Sequence, residues 1–235
     1  MTDQEYVGGE LEVFAHAINW KKYWSSLISA HLRGDVLEAG AGMGTNTSFL
    51  KSPQTASWTC LEPDALLAAQ MRENFAADAG LRECRIQIGN TETIIDTAKF
   101  DSILYIDVLE HIADDKAELQ RASRLLRSGG SLIVLSPAYS WLYTPFDRAI
   151  GHLRRYGKRT LKASAPPDCR VEKMIYLDSA GLLASSGNRL LLKQSMPTLR
   201  QILFWDRYLV RFSRVLDRLV LHGFGKSILG IWTKM

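Results

Sequence analysis

The sequence predicts an α/β fold in which helices cover both faces of a mostly parallel, doubly wound sheet. Five short apolar stretches alternate with segments of helical periodicity, an order typical of parallel sheets. The first stretch ends in a glycine-rich turn before a helix-forming segment, the usual ligand position in such sheets. With 235 residues, 46% hydrophobic and 23% charged, the chain suffices for one domain with a sizeable core. A single domain over residues 1–235 is therefore expected.

The elements can be placed in order along the chain. A helix is predicted over about 10–33, where apolar residues recur near helical spacing until Gly34. Asp64 is a plausible N-cap for a later helix. The predicted strands cover residues 57–62, 85–88, 131–136, 170–177 and 227–233. The first strand lies at the start of 36–44, before its glycine turn, and the fourth strand and the turn that follows it lie within 100–115. The remaining predicted helices cover residues 45–50, 64–79, 114–126 and 198–221.

The turn after the first strand carries glycines at alternate positions, Gly40, Gly42 and Gly44, with Glu38 just before them. Glycine tolerates positive φ and lets a ligand lie against bare backbone, next to unpaired N–H groups of the following helix. The spacing differs from the G-x-G-x-x-G of dinucleotide sites. The second strand then ends in Glu62, which can bind both hydroxyls of a ribose. An adenosine-containing cofactor fits, although a plain structural turn remains the alternative.

Three segments carry a resemblance to a known family: VLEAGAGMG at 36–44, FDSILYIDVLEHIADD at 100–115, and 136–156, which ends in GHLRRY. They resemble S-adenosyl-L-methionine (SAM)-dependent methyltransferases with a Rossmann-like fold, and most closely a bacterial subgroup acting on small molecules. The resemblance implies a seven-stranded sheet with an antiparallel last strand. It also implies transfer of a methyl group from SAM by in-line displacement, with S-adenosylhomocysteine as the product.

The resemblance also implies a set of cofactor residues. A carboxylate near the glycine turn helps to hold the ammonium of SAM, a polar residue after strand three meets the adenine, and the end of strand four faces the sulfonium. The implied residues are Glu38, Ala39, Gly40, Gly42, Gly44, Glu62, Pro63, Asn90, Thr91, Asp107 and Val108. Trp20, on the helix that roofs the cofactor in this family, contacts a ligand or packs in the core.

The methyl acceptor is expected beside the segment 136–156, which is dense in aromatic and cationic residues. His152 or Tyr156 can accept a proton from the acceptor. His111 can act as a general base because an imidazole titrates near neutral pH, or it can cap its turn.

Arg154 and Arg155 can bind an anionic oxygen of the acceptor in a fork, with Tyr139 lining the same site. The alternative is a structural cluster in which Asp147 pairs with an arginine and a tyrosine packs beneath. The expected acceptor is thus a small anionic or planar metabolite, with a lipid-linked or saccharide acceptor as the alternative.

Charge is distributed unevenly along the chain. Residues 1–150 hold 13 Lys and Arg against 20 Asp and Glu, whereas residues 151–235 hold 16 against 5. Within a basic helical insertion at about 178–222, the segment 198–221 has an amphipathic pattern. It can contact an anionic membrane, act as a lid, or pack on the core.

Several classes are disfavoured. The cysteines, Cys60, Cys84 and Cys169, have no metal-site spacing, so no metal is expected, and reduced thiols suggest the cytoplasm. The acidic N-terminus does not resemble a signal peptide. Residues 107–110 lack the motifs of enzymes that methylate nucleic-acid bases, so no nucleic acid is expected. An NAD(P)-dependent oxidoreductase and a non-catalytic SAM-binding module remain as rivals.

Overall fold

The computed structural model describes residues 9–95, 97, 99–191 and 197–235. Seven strands form one sheet in the order β3-β2-β1-β4-β5-β7-β6. The strands are β1 Gly34–Ala39, β2 Thr55–Glu62, β3 Arg85–Ile88, β4 Phe100–Ile106, β5 Leu126–Pro137, β6 Cys169–Leu177 and β7 Ser227–Lys234. Only β7, between β5 and β6, runs antiparallel to its neighbours. The predicted seven-stranded, mostly parallel sheet with an antiparallel last strand is confirmed.

Helices cover both faces of this sheet, as predicted. They are α1 Gly9–Ala15, α2 Ile18–Ile28, α3 Thr47–Leu50, α4 Ala65–Ala77, α5 Asp115–Leu125, α6 Pro145–Ala149, α7 Lys158–Ser164, α8 Ser179–Leu191, α9 Leu199–Phe204 and α10 Val210–Leu219. One apolar core lies under α2, α4 and the C-terminal helices, and the other lies under α5 and α7. Residues 1–8 and residues 192–196 of the predicted insertion lie outside the described residues. No helix in the described ranges is both long and apolar enough to cross a bilayer.

The predictions from local sequence hold best for β3 and α4. Strand β3 has the predicted bounds, and Asp64 caps α4 by accepting hydrogen bonds from the N–H groups of Leu66 and Leu67 at 2.7 and 3.1 Å. These elements were predictable because their periodicity and cap lie within a few consecutive residues.

The single N-terminal helix predicted over 10–33 is wrong, since α1 ends at Ala15 and α2 begins at Ile18. The cap of α2 comes from far along the chain. The Asp206 carboxylate accepts hydrogen bonds from the N–H groups of Asn19 at 3.1 Å and Trp20 at 2.8 Å. Helix periodicity could not reveal this break, because the capping group is supplied by tertiary structure.

The segment around Asp206 also departs from a simple amphipathic helix. A π-helical turn, Trp205–Leu209, joins α9 to α10 and turns both Trp205 and Asp206 inward. In α10, the buried Asp217 carboxylate accepts hydrogen bonds from the Tyr23 hydroxyl at 2.8 Å and the Asp178 N–H at 2.7 Å. The C-terminal helices are therefore docked through buried carboxylates as well as apolar contacts.

Replacing Asp206 with alanine should lower the free energy of unfolding by about 1–3 kcal/mol, because the cap of α2 is lost. Chemical denaturation measures this change. Asp114→Ala, which removes the local cap of α5, is the matched control. If α2 depends on its distant cap, only Asp206→Ala should also alter the near-ultraviolet signal of the buried Trp20. Equal near-ultraviolet spectra for the two variants would contradict this dependence.

Candidate functional site

A cavity of about 1020 Å³ opens at the carboxyl ends of β1, β2 and β4, beside the loop that follows β5. This volume is at the upper end of the range for ligand sites. The predicted site residues that line it are Trp20, Ala39, Gly40, Gly42, Glu62, Pro63, Asn90, Thr91, Asp107, Val108, His111, His152 and Arg155. The predicted residues outside its lining are Glu38, Gly44, Tyr139, Arg154 and Tyr156. Most of the predicted residues therefore meet around one space.

The glycine turn has the predicted positive φ, with values of 64°, 57° and 74° at Gly40, Gly42 and Gly44. A Cβ on Gly40 would lie 2.6 Å from a methyl group of Val108, so this glycine is required by packing. A Cβ on Gly42 would contact only a Leu11 methyl group, at 3.7 Å. Gly42 thus offers bare backbone to the cavity, as expected for a residue against which a ligand lies.

Glu62 ties this turn to the end of β2. One of its carboxylate oxygens accepts the Gly42 N–H at 2.7 Å, and the other accepts the Asp64 N–H at 2.9 Å. Burial raises the pKa of Glu62, and these two backbone hydrogen bonds oppose the increase. The carboxylate lines the cavity, and each oxygen keeps a further lone pair for a ligand hydroxyl.

Glu38, predicted to hold an ammonium, lies beneath the turn instead of facing the cavity. Its buried carboxylate accepts hydrogen bonds from the Thr47 hydroxyl at 2.8 Å and the Trp58 indole N–H at 2.9 Å. Burial raises the pKa of Glu38 to about 7, so the carboxyl group is a structural anchor that ionises reluctantly. The predicted direct contact between Glu38 and the ammonium of SAM is not supported. Side chains alternate between the two faces of a strand, and the side chain of Glu38 points to the face that packs in the core.

Lys21 on α2 also lines this part of the cavity, and no sequence pattern identified it as a site residue. Its ammonium donates to the Thr45 carbonyl at 3.3 Å. Burial lowers the pKa of Lys21 to about 8, and the nearby Glu38 opposes the decrease. The only signal in the sequence was its neighbour Trp20, which was correctly placed at the cavity.

Asn90 and Thr91 lie at the far wall, in the turn after β3. The Asn90 side chain accepts the Glu92 N–H at 3.0 Å and caps a short 3₁₀ helix. The Thr91 hydroxyl donates to Glu118 at 2.9 Å. Both residues line the cavity while holding their turn, so the structural and ligand-binding interpretations are compatible.

Asp107 follows β4 with a left-handed φ of 55°, which turns its side chain into the cavity. Desolvation by the surrounding protein raises the pKa of Asp107 above its usual value, and the nearby His152, Lys226 and Arg155 oppose the increase. An aspartate in this backbone region is strained, and such strain concentrates at functional sites.

The loop after β5 is organised by the fully buried Asp147. Its carboxylate accepts five hydrogen bonds: from Arg155 Nε at 2.8 Å and Nη2 at 3.0 Å, His152 Nδ1 at 2.8 Å, the Thr144 N–H at 2.8 Å and the Thr144 hydroxyl at 2.9 Å. Although burial opposes ionisation, hydrogen bonds from His152 and Arg155 hold the pKa of Asp147 well below its usual range. Arg155 therefore forks Asp147, as in the structural alternative, while still lining the cavity.

Three other predicted residues of this loop do not face the cavity. The Tyr156 hydroxyl donates to Asp115 at 2.8 Å within the core on the opposite face of the sheet. Arg154 pairs with the same Asp115 at 3.2 Å, and Tyr139 stacks on Tyr176 at 4.8 Å between ring centroids. The predicted proton transfer by Tyr156 and ligand contacts of Arg154 and Tyr139 are thus not supported, because these side chains are committed to packing.

His152, His111 and Glu110 form a cluster in the cavity wall. With His152 Nδ1 bonded to Asp147, Nε2 points toward Glu110 Oε1 at 3.8 Å. The two imidazole rings meet edge to face at 4.7 Å. Burial raises the pKa of Glu110 well above its usual value, and burial together with His152 lowers the pKa of His111 to about 4.

Aromatic side chains from three separate elements close the cavity. The ring centroid of Phe14, on α1, lies 6.3 Å from the ring centroid of Trp205 and 6.4 Å from that of Phe146, on α6. The ammonium of Lys226, beside β7, lies 4.9 Å from the centre of the Trp205 ring. No local sequence pattern joined these four residues, because only tertiary folding brings them together.

The comparisons with known proteins agree with this site. Residues 37–132 match the family model of a methyltransferase domain. The matched segment includes the glycine turn, Glu62, Asp107 and His111, but it ends before the loop that follows β5. The methyltransferase match therefore bears on the cofactor side of the cavity and leaves the subgroup and the acceptor side open.

Solved structures share the fold. A geranyl diphosphate methyltransferase in complex with SAM matches with a TM-score of 0.66 at 12% identity, over 99% of this chain and 93% of that chain. A SAM-dependent methyltransferase from Clostridium acetobutylicum ATCC 824 matches with a TM-score of 0.61 at 12% identity, over 97% and 95%. The [4+2]-cyclase SpnF matches with a TM-score of 0.62 at 12% identity, over 97% and 95%. No curated protein sequence matches the chain. The chain has the Rossmann-like fold of SAM-dependent methyltransferases.

Proposed function

We propose that this protein transfers a methyl group from SAM to a small, anionic or planar metabolite. The observation that carries the proposal is one cavity lined by the Gly42 turn and Glu62 on one side and by His111 and His152 on the other. The methyltransferase match to residues 37–132 supports the reaction type. Because one fold supports many reactions, these side chains are the ground for assigning this one.

The residues around the glycine turn fit SAM. Gly42 leaves bare backbone, Glu62 offers acceptor oxygens to ribose hydroxyls, and Asn90 and Thr91 line the cavity and can meet an adenine edge. Lys21 can pair with the carboxylate of the amino-acid end. When bound, SAM supplies a methyl group on a sulfonium, which already carries positive charge. The protein therefore has mainly to orient the acceptor and exclude water.

The acceptor half of the cavity is suited to a planar or anionic molecule. Phe14, Phe146 and Trp205 provide flat apolar walls, and Lys226 provides a positive charge. Because Arg155 is paired with Asp147, its charge is already compensated. His152 is held through Nδ1, so its Nε2 is the nitrogen available to meet a proton of the acceptor.

Replacing Gly42 with arginine should abolish SAM binding, because a long side chain at a positive-φ position would occupy the nucleoside site. Gly80→Arg, in an exposed turn, is the control and should bind SAM as the wild type does. Isothermal titration calorimetry with SAM and, separately, NADH measures both variants. Binding of NADH without binding of SAM by the wild type would instead support the oxidoreductase alternative.

His152→Ala should reduce formation of S-adenosylhomocysteine by about 10²–10⁴-fold while SAM affinity stays near that of the wild type. Turnover is measured with SAM and fractionated small-molecule or lipid extracts, and His31→Ala is the control. Normal turnover by His152→Ala would refute the proposed acceptor-side role.

Tyr156→Phe should mainly lower the free energy of unfolding, by about 1–3 kcal/mol, because its hydroxyl bonds the buried Asp115. Chemical denaturation measures this change.

A second candidate, an acceptor at a membrane surface, is favoured by the outer face of α9 and α10. Phe204, Tyr208, Phe212, Val215 and Leu219 form an exposed stripe, in which Leu219 is 76% exposed. We call this set the apolar stripe. Beside it runs a row of exposed arginines, namely Arg200, Arg207, Arg211, Arg214 and Arg218. An apolar stripe with adjacent cations fits an anionic lipid surface. On the inner side of the same segment, Trp205 lines the cavity.

If the apolar stripe contacts membranes, the wild type should cosediment with vesicles containing phosphatidylserine, and added salt should weaken this binding. Phe212→Glu combined with Val215→Glu should weaken it at least about tenfold, because two charges would enter the interface. Leu66→Glu, at an isolated exposed leucine on α4, is the control. Equal sedimentation with and without vesicles would exclude this surface role.

A further inference from the structure

The cluster of Glu110, His111 and His152 has the composition of a metal site. Each residue offers one donor atom, and the three atoms lie within 4.8 Å of one another. His152 Nε2 and Glu110 Oε1, at 3.8 Å, can both lie about 2.1 Å from a single ion. Two imidazole nitrogens and one carboxylate oxygen are a donor set suited to divalent first-row transition ions.

The Glu110 carboxylate is a second observation that indicates a cation-binding position. The side chain is fully buried, and Oε2 accepts the Ser136 hydroxyl at 2.9 Å. Oε1 has no hydrogen-bonding partner among the described residues, and it points toward the two histidines. A buried polar oxygen without a partner is costly, and a metal ion at this point would remove that cost.

The surrounding residues hold the donors as an outer shell does in metal sites. Asp147 binds His152 Nδ1 and thereby leaves Nε2 free to coordinate. Ser136 fixes the other oxygen of Glu110 through its hydroxyl, at 2.9 Å. Carboxylate and hydroxyl partners of this kind orient metal ligands and fix the imidazole tautomer.

We propose that Glu110, His111 and His152 bind one divalent transition ion, such as Mn²⁺, Fe²⁺ or Zn²⁺, in the wall of the cavity. The nitrogen donors disfavour Mg²⁺ and Ca²⁺, which prefer oxygen ligands. The spacing of the cysteines predicts no metal, and ligands contributed by two distant loops form no spacing that a sequence pattern could reveal.

Three protein ligands leave coordination positions open, and the residues that supply the ligands line the cavity. The open positions suit an acceptor with a hydroxyl, enolate or carboxylate oxygen, which the ion would orient and polarise. With the ion bound, His152 Nε2 would serve the acceptor by holding the ion instead of accepting its proton directly, so His152→Ala should lower turnover in either case. This role of the ion rests on the proposed methyl transfer, whereas the binding of the ion does not. Metal binding and SAM binding can therefore fail separately.

The proposal is tested with protein stripped by a chelator and titrated calorimetrically with MnCl₂, ZnCl₂ and MgCl₂. The wild type should bind one Mn²⁺ or Zn²⁺ per chain and bind Mg²⁺ at least about tenfold more weakly. Glu110→Gln and His111→Gln should each weaken Mn²⁺ binding at least about tenfold. His31→Gln, outside the cluster, is the matched control and should not change the affinity. Circular dichroism checks the fold of every variant.

A second measurement needs no variant. Mn²⁺ added to the wild type should broaden the ring-proton NMR signals of His111 and His152 at substoichiometric concentrations, while those of His31 and His222 persist. Absence of Mn²⁺ and Zn²⁺ binding, unchanged affinity in folded cluster variants, or broadening elsewhere would each overturn the proposal. Metal binding without SAM binding would retain it and reject the proposed function instead.

Discussion

The buried carboxylate of Asp147 is the interaction on which the acceptor side of the cavity depends. It accepts hydrogen bonds from Thr144, His152 and Arg155, and thereby closes the loop after β5 onto itself. Because Asp147 neutralises the charge of Arg155, this cation-rich loop can line a cavity without placing a strong unpaired charge there. Because it fixes Nδ1 of His152, it also decides which imidazole nitrogen faces a ligand. The chemistry proposed for this side of the cavity follows from that orientation.

Carboxylates perform a comparable organising task in the roof of the cavity. Asp206 caps α2 and so positions Trp20, whereas Asp217 holds Tyr23 and the start of α8. These polar groups take inward positions of the C-terminal helices, and large apolar side chains such as Phe212 are left outside. The same segment thus connects the ligand cavity with an exposed surface. A planar acceptor and a membrane-bound acceptor are both compatible with a segment that lines the cavity on its inner side and is exposed on its outer side.

Much of the cofactor side was predictable because its determinants are local. The Gly42 turn and Glu62 follow strands whose ends meet at one edge of a parallel sheet, so neighbouring positions in the fold follow from sequence order. The acceptor side was less predictable. His152 and Tyr156 belong to one motif, yet the first faces the cavity and the second reaches Asp115 through the core. Residue type alone cannot distinguish them, since the partner that commits each side chain lies elsewhere.

By itself, the sequence determined the strands, their mostly parallel arrangement, the positive-φ glycine turn and the acids near the ends of β1 and β2, because short-range periodicity and backbone sterics dictate them. Only the tertiary structure decided that Glu38 lies beneath the turn, that Lys21 enters the cavity, and that Glu110 faces two histidines. Each of these outcomes depends on burial and on partners brought from distant segments. Desolvation and hydrogen bonding between such segments are properties of the packed molecule, so they cannot be predicted from the pattern of residues along the sequence.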